Sequence, residues 1–276
     1  MAPLVVALVL GSALLHASWN GLLRAGADRL WSIAVMSAMS GVAALVLTAF
    51  VPLPAPAAWP FVVLSAVIQT GYCLFLVRAY RDGHLGQVYP IARGSAPLLV
   101  AVGAAVFAGE HLSPVAIAGL LMVSGGIIGL AFGRDRPDIA SSLFALACGA
   151  CVAGYMVTDG LGARLSGNAI SYLAWMSLAQ GAPMPLLFLA LRRRWPALRR
   201  DRETAKALAG GLISMLAYGV VVWALSTSAM AKVDGLRETS ILFAALIGVV
   251  FLKEPLTLRR TACAVLITAG VVALAA

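Results

Sequence analysis

Apolar stretches of about 20 residues recur along the whole chain, and this feature constrains the fold more than any other. Wound as an α-helix, such a stretch has the length needed to cross the hydrocarbon core of a bilayer. Only 11% of the 276 residues are charged, compared with about 25% in a typical soluble domain. The apolar runs are continuous and do not alternate with polar residues, which excludes membrane β-strands. The sequence therefore predicts an all-α polytopic membrane protein.

Charges, prolines and glycines divide the apolar sequence into ten predicted transmembrane helices. The amino-terminal run has no basic segment before its apolar part, so we interpret it as the first membrane helix and not as a cleaved signal peptide. The predicted spans are residues 3–23, 30–51, 59–79, 85–108, 114–132, 140–162, 168–191, 205–228, 233–252 and 258–275.

Two segments resemble each other at a constant spacing, which indicates an internal repeat. The segment "ARGSAPLLVAVGAAVFAGEHLS" aligns with "LRETSILFAALIGVVFLKEPLT", so that Arg93 matches Arg237 and Glu110 matches Glu254. A weaker match relates the first predicted helix to the sixth. The chain is thus predicted to hold two five-helix repeats, residues 1–135 and 136–276. Because five is odd, the repeats must cross the membrane in opposite directions, and inverted repeats place a substrate site between the halves.

The basic residues lie mainly on one side of the predicted membrane. Of the 20 Lys and Arg residues, most follow predicted helices one, three, five, seven and nine. The positive-inside rule places those loops in the cytoplasm and both termini outside. The net charge of +9 is accordingly attributed to topology, and no nucleic-acid partner is expected. Cys148 and Cys151 form a CxxC pair with no second pair nearby, so neither a metal nor a cofactor is expected.

Polar and aromatic residues interrupt the first apolar run in "LLHASWNGLLRAG". His16 and Asn20 are spaced i, i+4 and share one helix face, beside Trp19. Tyr155 and Asp159 repeat this spacing on the sixth predicted helix. These two related faces are predicted to line a common cavity.

Arg93 and Arg237 lie at equivalent depths inside predicted helices, where a charge is costly unless it faces a cavity or a partner. Each could pair with Glu238, Asp234 or Asp159, or could contact a substrate directly. The two alternatives are compatible, because one arginine can hold an internal carboxylate and a substrate carboxylate in turn.

Further polar and aromatic residues point to an aromatic-rich cavity, which suits a ligand with an apolar body and a polar or zwitterionic end. Proton coupling would need a group that titrates within the membrane, whereas a facilitator needs none. His16, Asp159 and Glu238 are the candidates for such a group. The further cavity candidates are Gln69, Tyr72, Tyr89, Trp175, Tyr218 and Trp223.

Small residues and carboxylates at helix ends are predicted to stabilise the fold and not to bind substrate. Glu110 and Glu254 stand at the ends of predicted helices four and nine, where pairing or capping is favoured over catalysis. The run "GLLMVSGGIIGLAFG" has GxxxG spacings that let helices approach closely. Its glycines include Gly125, Gly126, Gly129 and Gly133.

With its repeat, its "GEHLS" and "KEPLT" turns and its "HASWN" run, the chain resembles the drug/metabolite transporter superfamily, EamA type, over essentially its whole length. The resemblance implies ten helices in two inverted five-helix repeats around a central cavity. Within the superfamily it is similar to bacterial aromatic amino-acid exporters, which implies export of amino acids or related metabolites by a monomer in the inner membrane, without a cofactor. Such proteins keep both termini in the cytoplasm, opposite to the charge count, so both orientations stay open. The resemblance favours Trp19, Asn20, Tyr72, Tyr89, Arg93, Tyr155, Asp159 and Arg237 as cavity residues.

Other function classes are less favoured. A permease for a drug, nucleoside or sugar derivative would share this architecture and is the main alternative. An intramembrane enzyme is disfavoured because the sequence has no HExxH, no GxSxG and no acidic metal cluster. A channel would need a ring of repeated polar residues, and two repeats give at most two-fold rings. The sequence therefore predicts a transporter whose partners are a small-molecule substrate and the lipid bilayer.

Overall fold

The computed structural model describes residues 1–24, 26, 28–82, 85–131, 139–252 and 257–276. These ranges contain twelve α-helices and a short 3-10 helix at Pro56–Ala58, and they contain no strand. The α-helices are α1 (Pro3–Arg24), α2 (Arg29–Thr48), α3 (Trp59–Asp82), α4 (Leu85–Ala108), α5 (Pro114–Gly129), α6 (Ile139–Leu165), α7 (Ala169–Gly181), α8 (Pro183–Arg192), α9 (Arg202–Thr227), α10 (Met230–Arg237), α11 (Ser240–Leu252) and α12 (Leu258–Ala275).

Seven helical spans in the described ranges are long and apolar enough to cross a membrane. They make the chain a multi-pass membrane protein, as its sequence predicts. The helix α5 is apolar but shorter, with 16 residues. The seven spans are Pro3–Leu23, Arg29–Thr48, Tyr89–Ala108, Ile139–Leu165, Ala169–Arg192, Arg202–Thr227 and Leu258–Ala275.

Two of the predicted spans are divided, and each break has a local cause. The predicted helix 168–191 is interrupted at Ala182, because Pro183 has no amide hydrogen to continue the ladder. The predicted helix 233–252 is interrupted between α10 and α11. There, the amides of Thr239 and Ile241 donate to carbonyls three residues earlier, at 3.1 Å and 3.0 Å, so the backbone ladder changes from i−4 to i−3 spacing at this point.

Side-chain caps fix where several helices begin. Each capping residue has extended backbone angles, and its side-chain oxygen accepts a hydrogen bond from an amide of the first turn, which satisfies an otherwise unpaired donor. Asp201, for example, accepts from the Thr204 amide at 2.8 Å. The other capping residues are Asp28, Ser113, Asn168 and Thr257.

The most extensive helix contacts join the first half of the chain to the second. Both α3 and α4 pack on α6, α5 packs on α12, α1 packs on α9, and α2 packs on α7 and α9. The largest apolar core lies among these helices and includes Met156, Leu225 and Leu236, all fully buried. Residues 1–131 and 139–276 are therefore interleaved.

The contact between α5 and α12 depends on glycine. A Cβ atom built on Gly119 would lie 2.8 Å from the Gly270 carbonyl oxygen, and one built on Gly126 would lie 2.7 Å from Cγ1 of Ile267. Gly125 has no neighbour within 4 Å of such an atom. The close approach thus uses Gly119 and Gly126. A Cβ atom built on Gly129 would lie 3.1 Å from the Cys263 sulfur of α12. Gly126 and Gly129 therefore pack as predicted, whereas Gly125 does not. Gly133 lies outside the described residues.

Candidate functional site

A cavity of about 270 Å³ lies among α1–α4 and α6–α10, near the lower end of the roughly 300–1,000 Å³ range of ligand pockets. It is lined by the second half of α1, the first half of α2 and the first third of α4. The cavity is therefore nearest the end of the molecule at which α1 joins α2 and α3 joins α4. The sequence-predicted residues that line it are His16, Trp19, Asn20, Gln69, Tyr72, Tyr89, Arg93, Tyr155, Tyr218 and Arg237.

The helix α1 contributes one polar face to the cavity wall. The Asn20 side-chain amide donates to the His16 carbonyl at 2.9 Å, one turn earlier. The rings of His16 and Trp19 meet edge to face, with centroids 5.0 Å apart. These contacts restrain all three side chains, so this face offers a fixed imidazole, indole and amide to a ligand.

Three tyrosines form an aromatic wall across the two halves of the chain. The rings of Tyr72 and Tyr155 have centroids 6.3 Å apart, and those of Tyr155 and Tyr218 are 6.1 Å apart, both in edge-to-face geometry. The Arg237 guanidinium carbon lies 5.7 Å from the centroid of the Tyr218 ring, within cation–π range. The wall therefore joins apolar ring surface to a positive charge.

Four buried charges form a cluster at the cavity wall, beside Tyr218. Arg93 Nη2 lies 2.9 Å from Glu238 Oε1, and Arg237 Nη1 lies 3.5 Å from Asp234 Oδ1. Both arginines are 4% exposed and line the cavity, whereas both carboxylates are fully buried behind them. The cluster has no net charge, which is the arrangement that buried ions require. Of the three partners predicted for the arginines, Glu238 and Asp234 are thus the ones in contact.

Asp159 lies outside the cavity wall, although it is one turn from Tyr155. It is fully buried. Its carboxylate accepts hydrogen bonds from the hydroxyls of Tyr172, at 2.9 Å, and of Tyr218. Ser65 also contacts it, and Ser65 in turn accepts from the Gln180 amide at 3.0 Å. Because Tyr218 and Gln180 line the cavity, two hydrogen-bonded routes connect this carboxylate to it.

Two other predicted residues also lie away from the cavity wall. Trp175 packs edge to face on Trp59, with ring centroids 5.1 Å apart. Trp223 borders a separate recess of about 570 Å³ that also includes Lys232. Neither indole contributes to the wall shared by the arginines and tyrosines.

Sequence reasoning missed the contribution of α2 and of the broken helix formed by α7 and α8. Ser37 and Ser40 of α2 line the cavity, with Met36 beside them, and so do Gln180 and Met184 near the break. Serine and methionine are common in buried helices, so their identity carries little signal. Two features of the sequence could have indicated these cavity residues. They are the i, i+3 spacing of the two serines and the isolated glutamine in an apolar helix.

At the other end of α4, Glu110 and Arg164 join the ends of four helices. Their side chains meet at 2.5 Å. Arg164 Nη2 also donates to the Ser228 carbonyl after α9, at 2.8 Å, and Glu110 accepts from the Met230 amide that begins α10, also at 2.8 Å. In this Glu110–Arg164 bridge, the guanidinium complements the negative carboxyl end of α9 and the carboxylate complements the positive amino end of α10. It agrees with the predicted helix-end pairing of Glu110, whereas Glu254 lies outside the described residues.

Comparisons with known proteins agree with this architecture. The EamA-like transporter family matches the sequence over residues 139–276, which is half of the chain. A solved crystal structure aligns with 98% of this chain and 98% of its own, with a TM-score of 0.80 and 21% sequence identity, so the two share a fold. The comparison with curated proteins finds no match.

Proposed function

We propose that this chain, which belongs to the EamA-like transporter family, exports aromatic and other neutral amino acids, or closely related metabolites, across a bacterial inner membrane. Membership of that family indicates a membrane transporter of the drug/metabolite superfamily. The substrate class, the direction and the membrane are the parts that we propose.

The observation that carries the substrate class is the composition of the cavity wall. The wall holds the guanidinium groups of Arg93 and Arg237, which suit a carboxylate. The other surfaces are the rings of Tyr72, Tyr155 and Tyr218, together with Trp19, which suit an apolar or aromatic side chain. An amino acid combines these two parts in one small molecule.

We propose that transport uses alternating access, with the two repeats of five helices moving around the cavity. The cavity lies toward the end where α1 joins α2, and the loops at that end carry most of the basic residues. If those loops are cytoplasmic, this conformation is the one that loads substrate from inside the cell. The Glu110–Arg164 bridge then holds the opposite face together until the substrate is released there. A single chain supplies all of these parts, so we propose that a monomer is sufficient.

We propose Asp159 as the group that couples transport to protons, in preference to His16 and Glu238. Among the described residues, no lysine or arginine lies within ion-pair distance of Asp159, so losing a proton there leaves a buried charge without a direct ion-pair partner. Its hydrogen bonds to Tyr218 and Ser65 give it two links to the cavity. Glu238, by contrast, is already balanced by Arg93.

The test is uptake of radiolabelled L-phenylalanine and L-alanine into proteoliposomes, with and without a pH gradient. We expect saturable uptake of phenylalanine that is lost in Trp19→Ala and retained in Trp195→Ala, since Trp195 lies in the loop after α8 and is 60% exposed. Folded protein that takes up neither amino acid but takes up a nucleoside or sugar would favour the alternative permease.

A further inference from the structure

The ion pair between Arg93 and Glu238 is close but poorly directed. Arg93 Nη2 lies 2.9 Å from Glu238 Oε1. Within the described part of the chain, however, neither Nε nor Nη2 of Arg93 donates a well-aligned hydrogen bond, and neither carboxylate oxygen of Glu238 accepts one. Strong arginine–carboxylate pairs are instead bidentate, with two parallel hydrogen bonds. Both members thus keep unused hydrogen-bonding capacity, although Glu238 is fully buried and Arg93 is 4% exposed.

The position of the pair lets a ligand reach both members. Arg93 lines the cavity, and Glu238 lies behind it. Glu238 is also at the break between α10 and α11, where discontinuous helices commonly form substrate sites. The arginine side chain is long, so it can turn toward a ligand, and the space it leaves faces the Glu238 carboxylate.

Charge balance decides which ligand can open the pair. A ligand with a carboxylate alone would bind Arg93 and leave Glu238 buried without a partner. A ligand with an amine alone would bind Glu238 and leave Arg93 buried without a partner. Removing one partner of a buried ion pair is strongly destabilising, because an uncompensated charge remains. A zwitterion supplies a partner to both groups and leaves the net charge of the cluster, which includes Arg237 and Asp234, unchanged.

We propose that the Arg93–Glu238 pair is an amino-acid head-group site, which opens so that the substrate carboxylate binds Arg93 and the substrate ammonium binds Glu238. This inference rests on the proposed function and deepens it, because it assigns the substrate class to one ion pair. No proton is gained or lost by Glu238 in the exchange.

The experiment measures the binding of three matched ligands to the purified protein in detergent, by titration calorimetry. L-Phenylalanine carries both charges, 3-phenylpropanoate lacks the ammonium, and phenethylamine lacks the carboxylate. We expect each single-charge ligand to bind wild-type protein about 100-fold more weakly than phenylalanine, or weaker still, since each leaves one buried charge unpaired. This series on the wild type does not depend on any variant folding.

Two variants should reverse these preferences in opposite directions. In Glu238→Gln the unpaired Arg93 should favour 3-phenylpropanoate over phenylalanine, and in Arg93→Gln the unpaired Glu238 should favour phenethylamine. The double variant, which has neither charge, should lose the preference for either single-charge ligand. Glu203→Gln, in an exposed pair with Lys206, is the control that should behave as wild type.

The outcomes separate this inference from the transport proposal. Equal wild-type affinity for phenylalanine and 3-phenylpropanoate, or no binding of phenylalanine, would overturn the head-group site. Phenylalanine uptake into proteoliposomes without this discrimination would overturn the site and leave the transport proposal standing. The expected ligand series in protein that does not transport phenylalanine would support the site and contradict export.

Discussion

Replacing Gly119 by alanine should loosen the contact between α5 and α12. The new Cβ atom would lie 2.8 Å from the Gly270 carbonyl oxygen and 3.1 Å from the Leu274 amide nitrogen. Both are backbone atoms of α12, so no side chain can rotate away and the helices must separate. Overpacking of this kind costs about 1–3 kcal/mol, and the better helix preference of alanine returns up to about 1 kcal/mol. We therefore expect a loss of about 1–3 kcal/mol relative to a glycine-to-alanine change on the same helix that causes no overlap.

Gly125 on the same helix provides the matched control. It is exposed, and a Cβ atom there would have no neighbour within 4 Å. Gly125→Ala should therefore gain the helix preference without the overlap. The assay is the midpoint of thermal unfolding in detergent, followed by size-exclusion chromatography. For chains of 150–250 residues, 1 kcal/mol corresponds to about 2–4 °C. If Gly119→Ala were as stable as Gly125→Ala, the close backbone contact would not limit stability and the reasoning would be refuted.

Two further predictions concern carboxylates. Glu110→Gln should lower the thermal unfolding midpoint, because a neutral amide is a weaker acceptor for the Arg164 guanidinium and the α10 amide. Glu203→Gln, which changes an exposed pair, should leave the midpoint unchanged. If the two variants had equal midpoints, the Glu110–Arg164 bridge would add no stability. Asp159→Asn should still bind phenylalanine, but its uptake should no longer respond to a pH gradient, because a side-chain amide does not gain or lose a proton at physiological pH. If a pH gradient still drove uptake by this variant, Asp159 would be excluded as the proton carrier.

The i, i+4 spacing in long apolar helices was a sound guide to the cavity. His16, Asn20 and Tyr155 all line it, because a continuous helix keeps residues one turn apart on one face. Asp159 continues the same spacing, yet Tyr218 from α9 stands between it and the cavity. Sequence periodicity places a residue on a face but does not say which neighbouring helix covers that face.

The sequence limited the candidate partners of Arg93 to three carboxylates but did not show that Glu238 is the one in contact. Arg93 lies far from all of them in the chain, and Asp234 and Asp159 were equally available by composition. The break between α10 and α11 places Glu238 at a helix end, and no proline or glycine at residues 237–240 marks that break in the sequence. The sequence therefore identified charged residues at depth in the membrane, whereas the tertiary structure determined their pairs.

The balanced charges behind the cavity have a consequence for membrane voltage. Moving one elementary charge across the membrane is worth about 2.3 kcal/mol per 100 mV. The four charges of Arg93, Glu238, Arg237 and Asp234 sum to zero, and a zwitterion adds nothing to that sum. If the proposed function and head-group site hold, passage of a zwitterionic amino acid through this site carries no current of its own. Under the proposed coupling, a current that accompanies transport in the wild type and is absent in Asp159→Asn would come from the proton on Asp159, so an electrical recording tests the coupling independently of the rate of substrate uptake.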